Sequence, residues 1–348
     1  MMAMMRKKWI TFALVLIVAL AGCTEEKPIE PRRTNPNPGD TSQTSSGDDD
    51  EPVNFSWQDE QFYYGEGFSQ QLWYDLGSSS VVAQCHQKDW DLAFDCQPGH
   101  RRVYLNSGRV MQAAVTDAPN LDAAGDPPPA TAFRPDHPNG HPDSLALGAR
   151  IPTDSVCWID LGFDGNGRSL GMRKVRFEHL SDGYVLHYAG PGGGNRTTDT
   201  VRCDTAFNVM TYSLLDRQAR HVAPPKTGYD LWFTAYTHIF YAPGFTPYRV
   251  SGVLLNLHQT QAYMDTSIAD FFAVEASDFQ ADRLTEARDA IGYNWKRYSI
   301  EEGIYSVYPE QVYFIKNHQG HRYQLRFEAF YNDEGQRGYP GFAFRRLE

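Results

Sequence analysis

Residues 229–240, YDLWFTAYTHIF, constrain the fold more than any other segment of the chain. Side chains of a β-strand alternate between its two faces, so Leu231 and Phe233 share one face. The opposite face carries larger rings and one imidazole: Trp232, Tyr236, His238 and Phe240. A strand of an antiparallel sheet usually keeps one face polar. We therefore expect both faces to be covered, either by a second layer of protein or by a flat hydrophobic ligand.

Strand patterns dominate the sequence from Phe55 onward, as short aromatic and β-branched runs separated by Gly, Pro, Asn and Asp. This pattern predicts an all-β fold of mainly antiparallel sheets with one or two short helices. The helices are expected within residues 267–292, where Ser267 and Ser277 fit N-caps and Gly292 fits a C-cap. Residues 312–331 predict a hairpin that turns at residues 317–320.

A short repeat divides this region into two halves. WDLAF at residues 90–94 resembles YDLWF at residues 229–233, and a glycine-containing strand follows each, RVYLNSGRVMQA and YRVSGVLLN. The repeat indicates two halves of one β architecture, and we treat residues 55–348 as one all-β unit.

The first 54 residues read as an export signal and a tether. Residues 1–22 combine Arg6 and two lysines with a short apolar run, which is typical of a secretion signal. Leu-Ala-Gly-Cys ending at Cys23 is similar to a lipobox, so residues 1–22 are predicted to be removed and Cys23 acylated. Thr24 favours the outer membrane, without indicating which face. Residues 23–54 are rich in Pro, Ser, Thr and Asp, which predicts a disordered tether.

Composition and motifs exclude several classes of function. The formal net charge is −11, whereas nucleic-acid affinity depends on Lys and Arg contacts to phosphate. GPGGGNR lacks the GK[ST] ending of a phosphate-binding loop, and the sequence contains no GxSxG motif. We therefore predict a binding protein rather than an enzyme or a nucleic-acid partner.

Four cysteines remain after Cys23, and an even number in an exported chain favours disulfides over a zinc site. Three pairings are possible among Cys85, Cys96, Cys157 and Cys203. Cys85–Cys96 and Cys157–Cys203 are favoured because they close the shorter loops. No CxxC pair is present, which argues against zinc.

Three segments together carry a family resemblance. They are YDLWFTAYTHIF…TPYRVSGVLLN, then IGYNWKRY, then VYFIKNHQGHRYQLRFEAFYNDEGQRGYPGFAF. In order and spacing they resemble the HmuY family of bacterial haem-binding lipoproteins, over roughly residues 70–348. The resemblance implies an all-β outer-membrane protein, attached through its lipid anchor, that captures haem and passes it to an outer-membrane haem receptor.

The resemblance also implies axial ligands to haem iron, which are histidines or methionines in the family. One of them follows the tryptophan matched by Trp295, but this chain has KRYSIEEGIY there, with neither residue type. His238 is the leading alternative as the haem-iron ligand, because Trp232, Tyr236 and Phe240 flank it on one strand face. A core histidine with a satisfied hydrogen bond is the competing interpretation.

Further donors are possible for the second axial position. His258 and Met264 share a face if their segment is extended, and Tyr298 and Tyr305 lie near Trp295 in sequence. DHPNGHPD, with His137 and His141, is a proline-rich loop suited only to weak zinc binding. The alternative function is a surface lipoprotein module that binds a protein or glycan partner without haem.

Overall fold

The computed structural model describes residues 56–347, in which strands are the main element. Every pairing between its strands is antiparallel. The predicted all-β, mainly antiparallel fold is therefore confirmed. Helical structure in these residues consists of single 3-10 turns: Glu66–Phe68, Gln87–Asp89, Ser107–Arg109, Ala130–Ala132, Pro142–Ser144, Phe271–Ala273, Ala276–Asp278 and Ala281–Arg283.

Two sheets are built from the two ends of the described chain. Sheet I has, in spatial order, β1 (Gln58–Gln61), β20 (Arg337–Arg346), β19 (Arg322–Tyr331), β18 (Val312–Lys316) and β15 (Gln261–Asp265). Sheet II has β14 (Thr246–Leu255), β13 (Leu231–Phe240), β2 (Gln70–Asp75) and β3 (Ser80–His86). We call sheets I and II the split sandwich, and a separate hairpin joins β16 (Lys296–Ser299) to β17 (Ile304–Val307).

Two further sheets come from the continuous middle of the chain. Sheet III has β12 (Gln218–Arg220), β11 (Val209–Ser213), β4 (Leu92–Asp95) and β5 (Val103–Leu105). Sheet IV has β10 (Thr197–Arg202), β9 (Gly183–Ala189), β8 (Met172–Leu180), β7 (Val156–Asp160) and β6 (Gln112–Val115). We call sheets III and IV the inserted sandwich, because all of their strands lie between β3 and β13 in sequence.

Three hydrophobic cores arrange the sheets as layers in the order IV, III, II, I. The core between sheets I and II includes Leu72, Leu231, Phe233, Leu325 and Phe342. The core between sheets III and IV includes Leu92, Phe94, Val103, Phe177 and Leu186. A third core joins the opposite faces of sheets II and III and includes Trp73, Trp232, Leu254, Ala93 and Tyr104. Sheets II and III are therefore covered on both faces.

This layering explains the aromatic residues on both faces of β13. Leu231 and Phe233 face sheet I, whereas Trp232 and Tyr236 face the inserted sandwich. The Trp232 ring stacks on Trp73 with centroids 5.7 Å apart and planes 7° apart. Over this part of the strand, the cover is a second layer of protein.

The two sandwiches are duplicates, strand for strand. The order β12-β11-β4-β5 corresponds to β3-β2-β13-β14, and β10-β9-β8-β7-β6 corresponds to β1-β20-β19-β18-β15. Asp91 and Asp230 occupy equivalent positions: the Asp91 N–H donates to the Tyr212 carbonyl and the Asp230 N–H donates to the Tyr74 carbonyl, both at 2.9 Å. The repeat predicted from WDLAF and YDLWF therefore marks equivalent strands of two sandwiches that share one strand order.

The helix predicted within residues 267–292 is wrong. Three separate 3-10 turns occupy the segment, and their N-caps are Asp270, Glu275 and Gln280 rather than Ser267 or Ser277. Gly292 caps no helix but pairs with the Val253 backbone. The segment buries Phe271, Val274 and Phe279 against the outer face of sheet I.

The favoured disulfide pairing is also wrong. Cys96 bonds to Cys203, with Cα atoms 5.1 Å apart and a sequence separation of 107, whereas Cys85 and Cys157 are free thiols. Cys96 follows β4 in sheet III and Cys203 follows β10 in sheet IV, so the bridge joins both sheets of one sandwich. Cys85 lies in sheet II, and Cys157 is buried inside the core of the inserted sandwich. The shorter-loop argument failed because it ignored this distribution among layers.

Candidate functional site

The outer half of the β13–β14 hairpin extends beyond its sheet. β13 pairs with β14 along its whole length but with β2 only over Leu231–Phe233. The 3-10 turn Ser107–Arg109 of the inserted sandwich supports the extension, since Thr237 Oγ1 donates to the Ser107 carbonyl at 2.6 Å. Arg249 Nε likewise donates to the Gly108 carbonyl at 2.7 Å. Both sandwiches thus fix the position of the hairpin end.

Exposed rings gather at this end of the hairpin. Phe240 is 37% exposed, Tyr241 66%, Phe245 46% and Tyr248 59%. Together with His238 and Tyr293 they form what we call the hairpin-tip cluster. Grouped rings open to solvent are unusual because apolar surface is normally buried, and such patches mark binding surfaces.

His238 lies at the base of the hairpin-tip cluster and is half-buried. Its ring centroid is 4.8 Å from that of Phe240 and 4.8 Å from that of Tyr293. Within residues 56–347, no group forms a hydrogen bond to its ring nitrogens, so this is not a core histidine with satisfied polar atoms. Burial lowers the pKa of His238, with a smaller upward effect from Asp289 and a smaller downward effect from His137. Its imidazole is therefore neutral at pH 7, the form that binds metals.

A cation borders the hairpin-tip cluster. The Arg134 guanidinium lies 5.3 Å from the centroid of the Phe245 ring, and Arg134 is exposed. Its Nη1 donates to the Phe133 carbonyl at 2.8 Å. No carboxylate in the described residues forms an ion pair with it. Arg134 can therefore pair with an acidic group on a ligand that lies against the rings.

Trp232 and Tyr236 lie outside this cluster, although the sequence placed them beside His238. They are 8% and 1% exposed, within the core between sheets II and III. The Arg288 guanidinium also stacks on the Trp232 ring at 4.8 Å. A protein layer occupies the face that a ligand would need, so only Phe240 of the predicted flanking rings remains available with His238.

His258 and Met264 lie away from His238. His238 pairs with Tyr248 near the hairpin tip, whereas His258 follows β14 beyond Leu255 at the opposite end. Seven residues of extended strand separate Tyr248 from Leu255, which is about 23 Å. His258 and His238 therefore cannot bind opposite sides of one iron atom. Met264 lies on β15 in sheet I, where it is 39% exposed.

Tyr298 and Tyr305 face each other across the β16–β17 hairpin, with ring centroids 4.9 Å apart. Tyr305 also packs against Phe330 at 4.9 Å, and its backbone N–H donates to the Tyr331 hydroxyl. Tyr305 thus belongs mainly to the packing around the split sandwich.

Two functional candidates were not found by sequence reasoning. Tyr293 and Arg134 join the hairpin-tip cluster from distant loops, so no local spacing signals them. A separate groove of about 640 Å³ runs beside β3 and is lined by Phe62, Tyr63, Val81 and His86 among others. It is a second place where an imidazole meets exposed rings.

In a comparison with known protein families, the family described as HmuY protein matches residues 68–344. The chain belongs to the HmuY family. The resemblance drawn from the sequence is thereby confirmed. No curated protein matches this HmuY-family chain. No helix of residues 56–347 has the length and apolar character needed to span a membrane.

Several solved structures are similar to this HmuY-family chain. Apo PinO from Porphyromonas is 8% identical with a TM-score of 0.35, and the match covers 84% of this chain and 98% of PinO. The apo HmuY analogue TFO from Tannerella forsythia is 11% identical with a TM-score of 0.23, covering 51% and 96%. A putative HmuY-like heme-binding protein from Bacteroides vulgatus is 12% identical with a TM-score of 0.23, covering 50% and 91%.

Proposed function

We propose that this HmuY-family protein binds haem at the hairpin-tip cluster, with His238 as an axial ligand of the iron. The observation that carries the proposal is a neutral imidazole without hydrogen-bonding partners in the described residues, set among exposed rings. A haem site needs a flat apolar surface and an axial donor such as histidine. The role is binding and transfer, without chemical conversion of the ligand.

The residues of the cluster fit the chemistry of haem. Phe240, Tyr248 and Tyr293 offer rings that can stack on a porphyrin face. The exposed guanidinium of Arg134, beside Phe245, suits a propionate carboxylate. His238 supplies one axial donor, which leaves the other side of the iron accessible to a receptor side chain. A single protein ligand is consistent with release of the haem to a partner.

We place this binding unit at the outer membrane as a lipoprotein. The predicted signal, the acylated Cys23 and the tether of residues 23–54 lie outside the described residues. Residues 55–348, which contain the family-matched residues 68–344, then extend from the tether as one haem-capturing unit, and an outer-membrane haem receptor takes up the haem. These assignments rest on the sequence and on family membership.

A haemin titration followed in the Soret band tests the proposal. We expect a saturable, sharp band at one haem per chain for the purified protein, and loss or displacement of the band in His238→Ala. His86→Ala, in the groove beside β3, serves as the matched variant and should bind as the unaltered protein does.

The other outcomes are equally informative. Loss of the band in His86→Ala alone would move the haem to the groove and overturn the assignment to His238. Absence of a saturable band in the unaltered protein would overturn haem binding. The exposed rings would then favour a protein or glycan partner.

A further inference from the structure

Three potential metal ligands converge where the inserted sandwich meets the split sandwich. Asp95 ends β4, His100 lies in the loop between β4 and β5, and His258 lies in the loop between β14 and β15. One ligand atom from each residue lies within 4.8 Å of the ligand atoms of the other two. No other group of this kind occurs in residues 56–347. Two imidazoles and one carboxylate form a donor set typical of zinc and other first-row divalent metals.

Asp95 is held in place before any ligand arrives. Its side chain is fully buried. The Gln97 backbone N–H donates to Oδ1 at 2.9 Å, and the Tyr104 hydroxyl donates to Oδ2 at 3.2 Å. His100 Nδ1 lies 2.9 Å from the same Oδ2. Such outer hydrogen bonds orient the carboxylates of metal sites, because they restrict the oxygen lone pairs to one direction.

His258 completes the group from the other sandwich. Its backbone has φ = 63°, in the left-handed region that is uncommon for a residue other than glycine. The Gln259 and Thr260 N–H groups both donate to the Asn256 carbonyl, which closes a tight loop around it. This loop places the His258 ring edge-to-face with His100, with centroids 5.4 Å apart.

We propose that Asp95, His100 and His258 bind one divalent transition-metal ion of the zinc class, which bridges the two sandwiches. Metal–nitrogen and metal–oxygen bonds of about 2 Å put tetrahedral ligands about 3.3 Å apart, so the atoms must approach by at most about 1.5 Å. His258 is exposed and can make this movement. It also lines a surface groove of about 470 Å³, so an ion can approach His258 from solvent.

Arg102 moderates the affinity of this site. Its Nη1 lies 3.8 Å from Asp95 Oδ2 and offsets part of the carboxylate charge. A tetrahedral ion with three protein ligands keeps its fourth position for water. The site is independent of the hairpin-tip cluster, since it lies at the other end of the β13–β14 hairpin.

Zinc titration of the metal-free purified protein, by calorimetry and by thermal unfolding, tests the proposal. We expect one Zn²⁺ per chain and a rise in the midpoint of unfolding that EDTA reverses, because a ligand of the folded state stabilises it. His100→Ala and His258→Ala should each weaken binding by about ten-fold or more and remove the rise. His141→Ala, in the DHPNGHPD loop, is the control because that loop carries the competing weak zinc site.

Each alternative result decides the question. Binding lost in His141→Ala but retained in His258→Ala would assign the zinc to the loop and overturn the proposal. Zinc that binds without raising the unfolding midpoint would overturn the bridging role. No measurable binding by the unaltered protein would leave a hydrogen-bonded Asp95–His100 pair and overturn the site itself.

Discussion

Asn106 and Asn256 are structural equivalents, one in each sandwich. The side-chain amide of Asn106 donates to the carbonyl of Trp90 at 2.8 Å and to that of the residue three positions earlier at 2.7 Å. The amide of Asn256 makes the same two bonds around Tyr229, at 2.7 and 2.8 Å. Both sandwiches thus contain the same pair of hydrogen bonds, which joins the residue after β5 or β14 to the loop before β4 or β13.

Replacing either asparagine by alanine should destabilise the protein by a similar amount. Each change removes the amide that donates to two interior carbonyls, which costs about 2 kcal/mol. The Trp90 carbonyl keeps a weaker bond from Arg109 Nη1 at 3.3 Å. Urea unfolding of Asn106→Ala and Asn256→Ala measures the loss, with the exposed Asn166→Ala as control. A large loss in only one of the two variants would mean that the equivalence is geometric but not energetic.

Lys296 should make stability depend on pH above neutrality. It is buried, its Nζ donates to the Ser251 carbonyl at 2.6 Å, and burial lowers its pKa to about 7. Between pH 7 and about 10 the unfolded chain binds a proton there that the folded chain does not, so the contribution of Lys296 to the free energy of unfolding rises with pH. The total rise is on the order of a few kcal/mol.

The difference in the free energy of unfolding between the unaltered protein and Lys296→Met isolates this contribution. Chemical unfolding is measured at pH 6.5, 7.5 and 8.5. The free energy of unfolding of the variant should exceed that of the unaltered protein by most at the lowest pH, where the buried charge is most destabilising. Lys88→Met, at an exposed position, should show no such trend. A pH-independent difference for Lys296→Met would contradict the argument.

Chemical reduction should lower the free energy of unfolding through loss of one disulfide, Cys96–Cys203. Loss of Cys96–Cys203, which closes a long loop, should cost about 2–5 kcal/mol. Unfolding with and without dithiothreitol measures this cost, and Cys96→Ala with Cys203→Ala should reproduce the reduced value. In the double variant Cys85→Ala, Cys157→Ala, dithiothreitol should still lower the free energy of unfolding. If it no longer did, the cysteines would pair differently.

Haemin binding should persist to mildly acidic pH. Burial holds the pKa of His238 below its ordinary value of 6.5, so at pH 6.5 more than half of the imidazole is still neutral. The Soret band should fall only below that pH, where protonation removes the nitrogen lone pair. If half of the Soret band were already lost above pH 6.5, a group other than His238 would control haemin binding.

Sequence reasoning located features that depend on neighbouring residues. The turn at residues 317–320 follows from local pattern, and β18 and β19 do flank it. The WDLAF repeat likewise marked equivalent strands. Features that depend on the stacking order of layers were missed, because nothing local to Trp232 shows that the inserted sandwich covers it. The same reason explains the wrong cysteine pairing.

The site was predictable to a similar extent. His238 and Phe240 emerged from alternation along one strand, and the structure keeps their rings 4.8 Å apart. Arg134 and Tyr293 come from loops about 100 residues before His238 and about 50 after it. Only the packing of the inserted sandwich against the hairpin brings them to that strand.

The insertion of one sandwich inside another sets an order in which the chain can acquire structure. Strands β1–β3 emerge first, but their partners β13 and β20 follow only after the whole inserted sandwich. The inserted sandwich has all its strands in one continuous segment and can close early, whereas β2 must wait with an unpaired edge. Newly synthesised chains are therefore most exposed to aggregation through β2 and β3, and any factor that shields the nascent protein would need to protect that hairpin longest.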